Sequence, residues 1–312
     1  MTPFLQGKKV IVTGGAGFLG RVVCQRLQEQ GVGDLFVPRS NRFDLTDAEM
    51  VRLMFKEHKP DVVIHLAADV GGIGANQRHP GRFFYRNMAM GINLIEQSRR
   101  SEIAKFVQVG SVCSYPRDCK TPFRERDLWS GYPEQTNAPY GVAKRALGVM
   151  LDAYRTEYDF PGVYLIPVNL YGPGDNFNLE TSHVIPALVR KFSDATAAGV
   201  EQVTCWGTGT VTREFLYVDD AADAIVTATA RFNGPETINL GTGDEITVAD
   251  LAKMIARLCR FHGAIKWDTS RPDGQPKRCL DTSLASRLLH WRAKVALEDG
   301  LLRTVTWWTE NR

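Results

Sequence analysis

The chain has 312 residues, 44% of them hydrophobic, and its 38 Lys and Arg nearly balance 35 Asp and Glu for a formal net charge of +3. That length can bury a large core in one extended domain or two. The interspersed charges hold no basic run that would track nucleic acid, and no apolar stretch reaches the roughly 20 residues that span a bilayer.

Strand-like and helix-like segments alternate from the start. MTPFLQGKKVIVTGG enters an apolar run at once, so no export signal is expected and a cytoplasmic protein follows. TGGAGFLG then opens an amphipathic stretch from Gly17 to Gln30. Its glycines suit a tight turn, a close approach to a pyrophosphate, and helix–strand packing, with the helix N-terminus facing phosphate charge. Gly14, Gly15, Ala16, Gly17, Phe18, Leu19 and Gly20 are therefore expected to cradle a dinucleotide.

DLFVPR is the second strand, and its end names the dinucleotide. An acid there would hold the ribose of NAD, whereas Arg suits a 2′-phosphate. The chain reads VPRSNRF, so Arg39 points to NADPH, while Asp44 either meets the adenine or caps the following helix, Asp47 to His58. DVVIHLAA, a helix from about Arg82 to Ser101, KFVQVGS, a Pro-, Asp- and Arg-rich loop at 116–138, a helix from about Tyr140 to Tyr158, and GVYLIPVNL complete the series. Short Val/Ile-rich strands joined by crossover helices imply an α/β Rossmann-type, doubly wound parallel sheet.

After Tyr171 the alternation loosens into turn signals, a helix from Ser182 to Ser193, short strands (TINLGT, AIKWDT), and helices at Val248–Arg260 and Ala296–Glu310. Residues 1–171 are read as the dinucleotide-binding domain, with 214–232 returning to it. Residues 172–312 are read mainly as a smaller substrate-binding lobe.

Tyr140 and Lys144 lie four apart and share a helical face. A nearby ammonium and a cationic nicotinamide would lower the phenol's pKa, as carbonyl reduction needs, and Ser111 could bind the same oxygen. Cys113 leaves the same strand-end loop, and His183 opens a later helix. Each alone reads as well as a structural residue. Together, beside a polarised carbonyl, they form an acid/base pair for a proton alpha to a ketone. Lys191, Trp206 and Arg213 offer two cations and an aromatic face to a nucleotide diphosphate and base. The six cysteines (24, 113, 119, 205, 259 and 279) show no CxxC pair and no zinc spacing, so they read as reduced thiols and no metal is expected.

Through TGGAGFLG, HLAA, Tyr140-x-x-x-Lys144 and REFLYVDD the chain resembles the extended short-chain dehydrogenase/reductase family. GSVCSYP, SHVIP and YGPGDNF make it most similar to the branch that epimerises C3 and C5 of GDP-4-keto-6-deoxymannose and reduces C4 with NADPH to give GDP-L-fucose. The resemblance implies that Tyr140, Lys144 and Ser111 serve the reduction, and Cys113 and His183 the epimerisations. It implies further cofactor contacts from Leu66, Ala67, Ala68, Val109, Gly110, Lys144, Pro167, Asn169, Leu170 and His183. It implies GDP-sugar contacts from Asn169, Lys191, Trp206, Arg213 and Asp273, and a homodimer built on helices 82–101 and 140–158. Val112, Gly174 and Arg278 depart from that branch, the first two near the expected sugar pocket. An enzyme that only epimerises or only reduces a related GDP-4-keto sugar, and an NAD-retaining epimerase or dehydratase, remain alternatives.

Overall fold

The computed structural model describes residues 3–271 and 273–312. In chain order the elements are β1 (Lys9–Thr13), α1 (Phe18–Glu29), β2 (Asp34–Phe36), α2 (Ala48–His58), β3 (Val62–His65), α3 (Ile73–Arg78), α4 (Pro80–Arg100), β4 (Lys105–Val109), α5 (Ala138–Tyr158), β5 (Gly162–Pro167) and β6 (Asn169–Tyr171). They continue with α6 (Val184–Ala197), β7 (Gln202–Trp206), β8 (Thr212–Arg213), β9 (Phe215–Tyr217), α7 (Val218–Arg231), β10 (Ile238–Leu240), β11 (Ile246–Thr247), α8 (Val248–Leu258), β12 (Ala264–Asp268) and α9 (Leu297–Asn311).

The runs at β3, β4 and β5 are buried at every position, as strands covered on both faces must be. They join a six-stranded parallel sheet in the order β10-β5-β4-β3-β1-β2. Helices α2, α4 and α5 pack together in series, while α1 packs on α7. The strand order reverses between β1 and β3, and in such sheets the crevice beyond the strand C-termini at that point takes the ligand.

Local chemistry sets the boundaries. Asp47 Oδ1 accepts from the N–H of Glu49 at 2.8 Å and caps α2, which ends at left-handed Lys59 before Pro60. Asp44 instead closes a turn onto Thr46, with its carboxylate accepting from the Thr46 N–H and hydroxyl at 3.0 and 2.9 Å. Between α4 and α5 the backbones come close because Gly91 has no Cβ. One there would drive into the Leu147 side chain.

A second hydrophobic core, including Ile185, Leu188, Val189, Phe192, Val203, Leu251, Ile255 and Leu301, joins α6, α8, α9 and β7. Three features differ from the sequence reading. The TINLGT strand, assigned to the smaller lobe, is β10 at the edge of the large sheet, where Ile238 and Leu240 are fully buried beside β5. Leu280, Ala285, Leu289 and Trp291 also pack into the large core, so the chain re-enters that layer beyond 214–232. The single strand expected over GVYLIPVNL divides after Pro167, because Asn169–Tyr171 pair with β9.

Candidate active site

The glycine loop follows β1 and opens α1 at the switch point. Gly14 takes φ +72, and a Cβ there would come within 2.8 Å of the Ala67 nitrogen. At Gly20 a Cβ would overlap the Gly14 carbonyl. No side chain caps the N-terminus of α1, so its first N–H groups face the adjoining cleft. That cleft, about 820 Å³, is lined by Gly14, Ala16, Gly17, Phe18, Leu19, Gly20, Arg39, Asp44, Leu66, Ala67 and Ala68, among others. Gly15 is buried behind it, and with Arg39 it lines a smaller adjoining cavity. Of the two arginines after β2, Arg42 pairs with Glu57 at 2.7 Å and Arg39 is exposed beside the cleft. The residues fit a dinucleotide.

Beyond β4 the chain turns tightly. Ser111 Oγ accepts from the Cys113 N–H at 3.2 Å and caps a short 3-10 turn, Val112–Ser114. This turn sits on the first turn of α5. Ser114 Oγ donates to the Gly141 carbonyl at 3.0 Å, and the Cys113 carbonyl occupies the space a side chain at 141 would need. Gly141 therefore brings Ser111 and Cys113 against Tyr140. Close approach likewise explains Gly110, where a Cβ would lie 2.5 Å from the Tyr164 hydroxyl.

Tyr140 and Lys144 are both buried on α5, with the ammonium 6.0 Å from the ring centre. Lys144 Nζ donates to the Val109 carbonyl at 3.1 Å. Burial pushes the Lys144 pKa down to about 8. The expected lowering of the Tyr140 pKa is reversed in the protein's own field. Burial pushes it well above the ordinary phenol value, reinforced by Cys113 and Tyr164, while a Ser111 hydrogen bond opposes the rise. Tyr140 is thus held as a phenol, with a proton to give. His65 was missed by sequence reasoning, with HLAA its only signal. Fully buried, its Nδ1 lies 2.7 Å from Thr13 Oγ1, and burial and then the Lys144 charge hold it neutral.

Cys113 is half-buried, and on its other side lies the C-terminal lobe. Arg278 donates from one terminal guanidinium nitrogen to Cys113 Sγ at 3.7 Å. Half-buried Arg213 donates to the carbonyls of Thr212 and Asp273 at 2.7 and 2.8 Å, and burial followed by the charge of Arg278 lowers its pKa to about 10. His183 precedes α6 without capping it through its side chain. Its side chain is reached by solvent, but protein crowds around the ring. That crowding, and then Arg278, lower its pKa. Arg278 therefore links Cys113, His183 and Arg213, and the sequence marked it only as a departure.

Lys191 Nζ donates to the Thr204 carbonyl at 2.9 Å and lies 5.5 Å from the ring centre of exposed Trp206. Arg271 lies 4.8 Å from that ring, a second cation the sequence reading did not single out. The carboxylate of Asp273 is engaged by the Thr208 N–H and hydroxyl, each at 2.8 Å, so it orders the turn that carries Trp206. Asn169 donates to the Glu214 carbonyl at 3.0 Å, and Pro167 and Leu170 flank it where β5 passes into β6.

Val112 is 3% exposed and belongs to the large core. Gly174 takes φ +78 and faces Arg21, which donates to its carbonyl at 3.1 Å. A Cβ there would come within 2.5 Å of the guanidinium.

Residues 10–241 match the sequence model of the NAD dependent epimerase/dehydratase family. The chain is 40% identical to GDP-L-fucose synthase 1 of Arabidopsis thaliana over 97% of its own length and 94% of the relative's. Among solved structures it resembles a GDP-6-OMe-4-keto-L-xylo-heptose reductase from C. jejuni, with TM-score 0.91, 29% identity, and coverage of 98% of this chain and 99% of that one. It also resembles a GDP-L-fucose synthetase from Naegleria fowleri bound to NADP, with TM-score 0.89, 30% identity, and coverage of 98% and 95%. With its glycine-rich crevice, its Tyr140/Lys144 pair and these matches over most of its length, the chain belongs to the NAD dependent epimerase/dehydratase family.

Proposed function

We propose that the protein is an NADPH-dependent enzyme that epimerises C3 and C5 of GDP-4-keto-6-deoxy-D-mannose and reduces C4, yielding GDP-L-fucose. The observation that carries this reading is the seating of the Ser111–Cys113 turn on Gly141, beside Tyr140. One carbonyl oxygen could then meet Tyr140 and Ser111 while a neighbouring carbon meets Cys113. The 40% identical fucose synthase supports the choice of sugar.

The glycine loop, Arg39 and the Leu66–Ala68 edge would hold NADPH, which when bound supplies a hydride to C4. Arg39, free beside the cleft, suits the 2′-phosphate. The 4-keto group acidifies the hydrogens on C3 and C5. Cys113 as thiolate takes one of them, and the C–H electron pair moves to the C4 oxygen, held by Tyr140 and Ser111. Such donors are typically worth about 3–4 kcal/mol each. His183 returns a proton to the opposite face, its lowered pKa making the imidazolium a strong donor. After both inversions Tyr140 gives its proton to the C4 oxygen, and Lys144 stabilises the phenolate left behind. Lys191, Trp206, Arg213 and Asn169 would hold the GDP-sugar.

A reductase acting on a GDP-4-keto-heptose is the second reading, favoured by the C. jejuni neighbour. Incubation with GDP-4-keto-6-deoxymannose and NADPH tests both. GDP-L-fucose is the expected product, and NADPH oxidation only with a heptose substrate would overturn the first reading. We also propose a homodimer, because Phe84 and Ile92 of α4 and Val149 of α5 are exposed apolar side chains on adjacent helices. Sedimentation of a monomer alone would refute it. The structure holds no helix, among the described residues, long and apolar enough to cross a membrane.

A further inference from the structure

Arg278 contacts Cys113, Arg213 lies near enough for its charge to feel both, and neither guanidinium forms a salt bridge with a carboxylate among the described residues. Placing two cations side by side in a site that is partly shielded from water is costly, and burial followed by the charge of Arg278 depresses the pKa of Arg213. Arg278 is nevertheless held firmly. Its Nε donates to Gln275 Oε1 at 3.3 Å, and the Gln275 amide donates to the carbonyls of Pro116 and Arg117 at 3.2 and 2.8 Å. Those carbonyls lie just beyond the turn that carries Cys113. The Arg278 backbone is fixed as well, its carbonyl accepting from the Glu214 N–H at 3.1 Å. Two residues on, the Leu280 N–H donates to the buried Glu214 carboxylate at 2.6 Å. The guanidinium is thus aimed at the sulfur from a braced segment.

We propose that Arg278 is the counter-ion of the Cys113 thiolate and that Gln275 is the positioning residue holding it on the sulfur. An anion on sulfur balances the two cations, and a guanidinium fork serves Gln275 and Cys113 at once where an ammonium would act as a point charge. The other groups facing this site are Tyr140 of α5, Arg213 of β8 with the Asp273 carboxylate beyond it and, beyond Arg278, His183 at the start of α6. In the reaction the thiolate forms an S–H bond as the substrate C–H bond breaks, the electron pair going to the enolate oxygen. Loss of that proton to solvent restores the ion pair. This inference rests on the reading of Cys113 as the carbon base.

The test is alkylation of Cys113 by iodoacetamide across the neutral pH range, followed by peptide mass spectrometry, on the full chain without sugar. Arg278→Gln should slow alkylation at neutral pH about tenfold. Arg278→Lys should keep most of the rate, and Gln275→Leu should fall between them. A wild-type profile in Arg278→Gln, or equal losses in Arg278→Gln and Arg278→Lys, would overturn the proposal. Should Arg278→Gln fail to fold, a wild-type profile in Gln275→Leu overturns it instead. Failure of the epimerase reading shows separately, as absence of deuterium wash-in to the 4-keto sugar by the unmodified protein.

Discussion

The two halves of the site are built in different ways. Tyr140, Lys144 and Ser111 stand on α5 and at the end of β4, elements whose neighbours are buried sheet strands. Their mutual placement follows from helical spacing and one glycine contact. Cys113 and His183 stand on separate elements, the turn after β4 and the start of α6, and Arg278 of the braced 273–280 segment contacts the first and acts through its charge on the second. The half proposed for reduction is therefore assembled locally. The proton-transfer half depends on the smaller lobe staying docked against the large sheet.

That contrast can be broken most sharply at the phenol. Tyr140→Phe removes the proton given to the C4 oxygen and should cut NADPH oxidation by about 10²–10⁴-fold, with NADPH affinity in a fluorescence titration unchanged. Retention of most of the rate would remove Tyr140 from the acid role. The opposite dissection is Cys113→Ser. Deuterium wash-in at C3 and C5 should vanish while NADPH still binds, and full-rate exchange in this variant would reassign the base.

A change in the cradle should spare both sets of groups yet weaken the cofactor site. Gly20→Ala places a methyl group on the Gly14 carbonyl. Overpacking of about 1–3 kcal/mol corresponds to roughly ten- to hundredfold weaker NADPH binding, which titration reads directly. A finer probe is pH. The folded Lys144 pKa is depressed to about 8, so its charge is lost as pH rises through that value. The reductive rate should then fall on the alkaline side with a midpoint near 8. For stability the sign is opposite: the unfolded chain binds the extra proton between about 8 and 10.5, so burying Lys144 costs most below that window and the cost is relieved above it. A rate that stays flat through pH 8 would show that the ammonium is not needed. The smallest expected effect is structural. Gly91→Ala presses on Leu147 and should destabilise the α4–α5 pair by about 1–3 kcal/mol, read as a lower melting temperature.

Much of the reductive half was legible in the chain itself. The glycine loop, the alternation of strands and helices, and the four-residue spacing of Tyr140 and Lys144 follow from backbone sterics and helical periodicity, which act over a few residues. The HLAA edge and Arg39 were readable for the same reason. Other features were not. The partner of a strand is set across the sheet, so β10 could not be assigned to the large sheet from TINLGT alone. The side chain of Val112 points into a core that its neighbours in sequence do not reveal. A phenol's pKa depends on how much water surrounds it, and burial of Tyr140 outweighed the nearby ammonium.

By itself the sequence determined the sheet-forming runs and the dinucleotide crevice and singled out the groups proposed to react, because each is written in short-range spacing and residue chemistry. Only the tertiary structure decided that Arg278, 165 residues beyond Cys113, faces its sulfur, and that Gln275 holds it there. Charge partners are chosen by distance through space, and chain folding alone brings those distances to a few ångströms.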